Sequence, residues 1–166
     1  MHILINNKFL NFNNYKAKCV VGKRGIGYKK KEGDLITPIG KYKIKYILYR
    51  KDRIKSFKTK LKNISIKKNM GWCNDSQSQK YNQLIKLPAR ISYEKLYKKE
   101  NVYDIVLVLN YNMKPIIKNK GSAIFIHVAK KNLKKTEGCI AINKMQLKKI
   151  IRELKINTKV IIENRK

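Results

Sequence analysis

Negative charge is what this chain has least of. Ten Asp and Glu stand against 41 Lys and Arg, a formal charge of +31. A charge of that size first suggests nucleic acid. The kind of cation argues otherwise: only positions 24, 50, 53, 90, 152 and 165 are Arg, and the remaining basic residues are Lys spread along the chain. Base readers favour the bidentate fork of Arg over the point charge of Lys. Ile and Asn are abundant while Ala and Gly are scarce, as AT-rich coding sequence writes neutral surface positions. A basic nucleic-acid-binding protein without activity is the rival reading, but no specific nucleic acid is expected as partner. The field still attracts polyanions and favours an anionic substrate.

Thiols and imidazoles are scarce too. Cys19, Cys73 and Cys139 form no pair by spacing, and His2 and His127 are the two histidines. That excludes a disulfide framework and a CxxC-type zinc site, and neither metal nor cofactor is expected. No apolar run approaches ~18 residues, so no transmembrane helix is expected. The apolar start ends at Ile5, short of the roughly 7–15 residues of a secretory core. At face value the chain is expected in the cytoplasm.

What remains is ordinary globular material. A length of 166 residues fits one domain over 1–166, with 43% hydrophobic residues. A monomer is expected. Residues 3–5, 15–21 and 41–48 read as strands, with Thr37-Pro38-Ile39-Gly40 as a turn between them. Residues 50–87 read as a long loop with short strands, of the length that usually carries function. Residues 92–100 predict a short helix capped by Ser92. Residues 102–111 form a nearly continuous apolar strand, followed by strands at 122–128, 139–142 and 158–162. Asn143 caps a helix over 144–154 whose apolar stripe is Met145, Leu147, Ile150, Ile151 and Leu154. Many strands without regular β-α alternation predict a mainly β or α+β domain with a mixed sheet and one or two short helices.

Within this pattern His127 interrupts an apolar strand, which is costly without partners or a job. Twelve residues on, Gly138 precedes Cys139 at a loop-to-strand junction. Two adjacent strands joined by residues 129–137 would bring Cys139 beside His127, and an imidazolium there would favour a thiolate. Gly138 lets the backbone approach a substrate, and amides at 138 and 139 would face an oxyanion. A backbone carbonyl within 118–122 is the expected orienter of His127. The bland alternative is a hydrogen-bonded core histidine and a buried small hydrophobe.

The segment Phe125-Ile126-His127…Thr136-Glu137-Gly138-Cys139-Ile140 resembles the signature of the L,D-transpeptidases, the YkuD-like family. Asp34…Thr37-Pro38-Ile39-Gly40-Lys41-Tyr42 resembles the family's upstream motif. Gly71-Trp72-Cys73-Asn74-Asp75, Tyr81-Asn82 and the run from Gly121 to His127 are similar to a compact, single-domain branch. The resemblance implies Cys139 as nucleophile, His127 as base and peptidoglycan stem peptides containing diaminopimelate as substrate. Cross-link formation is the first expectation. L,D-carboxypeptidase trimming of muropeptides is the alternative. The family's usual place is the periplasm or cell wall, in tension with the short apolar start. Glu137 and Ala141 depart from the motif, which has His before and Arg or Asn after the cysteine. Ser122, Trp72, Tyr81, Arg24 and Arg90 are the candidates to bind substrate.

Overall fold

The computed structural model describes residues 1–164. In chain order it runs β1 (His2–Ile5), β2 (Phe9–Phe12), β3 (Tyr15–Val20), β4 (Ile26–Gly27), β5 (Thr37–Pro38), β6 (Gly40–Tyr49) and β7 (Asn63–Ser65). There follow β8 (Met70–Cys73), β9 (Leu84–Lys86), β10 (Tyr93–Lys95), a 3-10 turn at Asn101–Tyr103, β11 (Ile105–Leu109), β12 (Phe125–Val128) and β13 (Ile140–Ile142). One helix, α1 (Lys144–Glu153), leads to the closing β14 (Lys159–Ile162). The fold is thus mainly β with a mixed sheet and a single short helix.

Nine strands share the large sheet in the order β11-β12-β13-β3-β2-β1-β14-β6-β7, and β11 pairs also with β6, so the sheet closes on itself. Its inner face, with Ile5, Leu107, Ile126, Ile140 and Ile142, packs on Leu147, Ile150, Ile151 and Leu154 of the α1 region. The outer face of β11 and β12 carries Val106, Val108 and Phe125, packed against Trp72, Leu96 and Tyr103. A three-stranded sheet, β10-β8-β9, covers that outer face. Both faces of β11 are therefore dry, and all five of its residues are buried. This is why the segment reads as a continuous apolar run rather than an alternation. Trp72 stands edge-on to Phe125, with centroids 5.2 Å apart, a contact worth about 0.5–1.5 kcal/mol beyond burial.

The α1 expectation holds in its cap: Asn143 accepts from the amides of Met145 (2.8 Å) and Gln146 (3.4 Å). The stripe is narrower than expected, because Met145 in the first turn points to solvent. The helix expected over 92–100 does not form. Its place is taken by β10, which pairs antiparallel with β8. Tyr93, Leu96 and Tyr97 mimic helical spacing, but burying Leu96 against Trp72 and pairing with β8 outweigh local propensity. Ser92 Oγ bonds Asn74 Oδ1 (2.6 Å) instead of capping. The turn expected at 37–40 is instead the short strand β5, paired with β4, running into β6. Among the described residues no helix is long and apolar enough to cross a membrane.

Candidate active site

Parallel pairing of β12 with β13 sets the site. Ile126 lies opposite Ile140, and His127 opposite Ala141. Side chains alternate along a strand, so Cys139, two residues before Ala141, shares the face of His127. That is the outer face, beneath β8–β10. A groove of about 470 Å³ opens there, lined by Cys139, His127, Ser122, Lys29, Glu94 and Tyr103 among others. Cys139 keeps partial exposure to it. The separation of thiol and imidazole in sequence is thus undone by one parallel register.

His127 is 8% exposed. Its Nδ1 lies 2.9 Å from Val128 O. A carbonyl only accepts, so Nδ1 carries the proton and Nε2 keeps its lone pair. The orienting carbonyl therefore belongs to the next residue, not to 118–122 as the sequence suggested. Tyr103 stands edge-on to the ring at 5.4 Å, and its hydroxyl donates to Glu94 (3.2 Å). Burial pulls the His127 pKa down to about 4, with the Val128 contact pulling partly back.

The Cys139 thiol donates to Ala123 O at 3.0 Å. Burial pushes its pKa up to about 12. Burial thus works against the standing thiolate–imidazolium pair expected from sequence, since each group by itself favours its neutral form at pH 7. The physical reason is desolvation, which disfavours both charged forms.

The neighbourhood of Cys139 is held from three sides. Thr136 Oγ1 accepts from the Gly138 amide (3.2 Å) and donates to Cys139 O. Thr37 Oγ1 donates to Gly138 O (2.8 Å) while accepting from the Gly22 amide (2.8 Å). The Gly138 amide is therefore engaged, against the expectation that it faces an oxyanion. Ala123, the thiol's acceptor, is fixed by its own amide donating to Asn82 Oδ1 (3.1 Å). Asn82 also accepts from Trp72 Nε1 (3.0 Å) and donates to Tyr111 O and Asn112 O.

Trp72 and Tyr81 were candidates for substrate contact, but both are 1% exposed and lie outside the groove lining. Tyr81 donates to Glu32 and accepts from the Gly121 amide (2.9 Å). Both residues brace the 121–123 segment from behind. Arg24 is exposed in a separate hollow with Asn7 and Lys135, and Arg90 is exposed away from the groove. Ser122 does line the groove, and its buried Oγ has no partner. Glu137 sits exposed at the rim, 3.9 Å from Lys23, and Ala141 is buried beside His127. The sequence reading missed Asn82, Thr37 as a grip on Gly138, and Lys29. Only Thr37 and Asn82 left a trace, inside quoted motifs.

Among the described residues no group of three or more His, Cys, Asp and Glu is placed to hold a metal ion. The arrangement offers a thiol, an acceptor ring nitrogen and a positive flank around one groove in a β-rich fold. The chain belongs to the YkuD family, the L,D-transpeptidase catalytic domains, whose family model matches residues 3–162. That family acts on peptidoglycan, and its members are generally acyltransferases. None of the curated proteins matches the chain. Among solved structures, a mutant of the helical cell shape determining protein Pgp2 from Campylobacter jejuni is similar at 17% identity and a TM-score of 0.49. The match covers 99% of this chain and 47% of that one, so this chain spans about half its length.

Proposed function

We propose that the chain is one catalytic domain of an L,D-transpeptidase, with Cys139 as nucleophile and His127 as general base and acid. The observation that carries this is the shared groove: His127 on β12 and Cys139, just before the parallel β13, line the same cavity, and Nε2 of His127 is the basic nitrogen.

The resting thiol is parked on Ala123 O. Attack begins when Sγ gives its proton to His127 Nε2 and bonds to the amide carbon at the L-centre of a diaminopimelate residue. The carbonyl becomes an oxyanion, for which the Cys139 amide is the candidate donor. His127 then protonates the leaving amine, the C–N bond breaks, and the terminal D-amino acid departs. An amine of a second stem peptide attacks the thioester and passes its proton to His127. The new amide forms and the thiol is restored. A neutral starting pair suits this cycle, because charge appears only where the reaction creates it.

Intact-mass measurement after exposure to a carbapenem, an acylating β-lactam, tests the assignment. The wild type gains one adduct and Cys139→Ala gains none. Adduct on Cys139→Ala, or none on the wild type, removes Cys139 as nucleophile.

A further inference from the structure

A second polar cluster lies in the groove wall, and the thiol–imidazole pair does not use it. Lys29 and Asp34 form an ion pair at 2.6 Å, each side chain 3% exposed. Buried charges need further hydrogen bonds to be tolerated. Asp34 has them: the amides of Lys30 (2.7 Å), Ile36 (3.1 Å) and Lys31 (3.3 Å) all donate to its carboxylate. Those amides spread the carboxylate's charge and leave the ammonium incompletely compensated.

Lys29 is less well served. An ammonium carries three donors. Asp34 takes one, and Ile36 O stands at 3.5 Å, the long limit of a hydrogen bond. One N–H is left, and Lys29 lines the groove.

Two glycines, both with positive φ, lie against the Lys29 side chain, and Gly121 leaves the room that its methylenes fill. A Cβ on Gly121 (φ +100°) would lie 2.1 Å from Lys29 Cε, and one on Gly138 (φ +140°) would lie 3.7 Å from Nζ. Gly121 precedes Ser122, and Gly138 precedes Cys139. Ser122 Oγ is buried in the same groove without a partner. An unused N–H on a cation and an unpartnered hydroxyl thus line the same groove as the thiol, and both suit an anionic oxygen. Glu137 and Ala141 offer no cation on the other side of Cys139. Of the other lysines on this groove, Lys130, Lys134 and Lys135 are exposed on the rim loop, Lys98 is paired with Glu94 and Lys23 with Glu137.

We infer that Lys29 and Ser122 form a carboxylate subsite that takes the C-terminal carboxylate of the residue that leaves. The inference rests on the proposed attack by Cys139. In such a substrate the carboxylate carbon is three bonds from the attacked carbonyl carbon, within about 4 Å. A cation beside Gly138 is at the right reach. The subsite selects substrates that end one residue beyond the scissile amide.

The test compares two probes: a stem tetrapeptide ending in diaminopimelate–D-alanine, and its C-terminal carboxamide. Acylation is followed by intact mass and kcat/KM. The double variant Lys29→Met/Asp34→Asn removes the cation without stranding the carboxylate. It loses about 10- to 100-fold in kcat/KM on the free acid, and roughly threefold at most on the carboxamide. Ser122→Ala shows a smaller loss with the same selectivity. Equal losses on both probes, in a variant with wild-type circular dichroism, overturn the subsite and leave Cys139 standing. If the double variant does not fold, Ser122→Ala decides alone, and an unchanged ratio of the two probes overturns the inference. Absence of acylation of the wild type by both peptides and by the carbapenem defeats the Cys139 assignment, and this subsite with it.

Discussion

Asp104 and the groove wall are both polar and both buried, yet only the first is saturated. Asp104 is 1% exposed; its two carboxylate oxygens accept from Arg53 (3.0 Å) and Lys144 (2.7 Å). Nearby, Arg50 grips Asp52 with two nitrogens (2.8 and 2.6 Å), donates to Lys98 O and stacks on Tyr97. In the groove, by contrast, Ser122 Oγ has no partner and Lys29 has a donor to spare. The Asp104 cluster shows that this chain can saturate what it buries. Its failure to do so around Cys139 is then a property of the place, and unsatisfied buried polar groups are what a ligand completes.

That comparison can be broken by substitution on each side. The largest effect is expected in the groove: His127→Gln keeps the fold and lowers the rate of carbapenem adduct formation by about 100- to 10,000-fold. A wild-type rate would separate His127 from the chemistry. On the saturated side, Asp104→Ala removes the carboxylate that Arg53 and Lys144 share and costs about 1.5–3 kcal/mol in urea unfolding, with the rate per folded molecule unchanged. A loss of rate with intact stability would show that the Asp104 cluster serves the groove after all.

Titration sharpens the contrast. The unfolded His127 takes up a proton near its ordinary value of 6.5, whereas the folded one waits until about 4. Between those values the unfolded state binds more protons, so stability falls as pH drops through that window. Relative to His127→Gln, the wild type loses about 3 kcal/mol between pH 7 and pH 4. Equal slopes for the two proteins would mean the imidazole is not shielded. The smallest effect belongs to Ser122→Ala, which removes an unpartnered hydroxyl. Stability stays within about 1 kcal/mol of wild type, or rises. A larger loss would reveal a partner for Ser122 in the fold.

Much of the frame was readable before any coordinates. Asn143 and the spacing of Leu147, Ile150 and Ile151 announced α1, because a side-chain cap and a 3.6-residue period are local properties. The run at 102–111 announced a buried strand, of which 105–109 became β11. Gly138-Cys139 after His127 pointed to a candidate site through the family resemblance, and the structure sets both side chains in one groove. The errors have one origin. Residues 92–100 carry helical spacing, yet the empty edge of β8 and the space beside Trp72 made them β10. Trp72 and Tyr81 looked like groove aromatics, but they brace the backbone behind it. Lys29 sits in a run of three lysines, where nothing local distinguishes the buried one from its exposed neighbours.

By itself, then, the order of residues determined the strand periods, the capped helix and the two side chains most able to do chemistry. Tertiary structure alone decided that these two line one groove, that burial weighs against a charge on either, and that Lys29 is walled in with them. The reason is physical. Period and capping depend on neighbours in sequence, whereas protonation and burial depend on everything within a few ångströms, and that sphere is filled by residues from all along the chain.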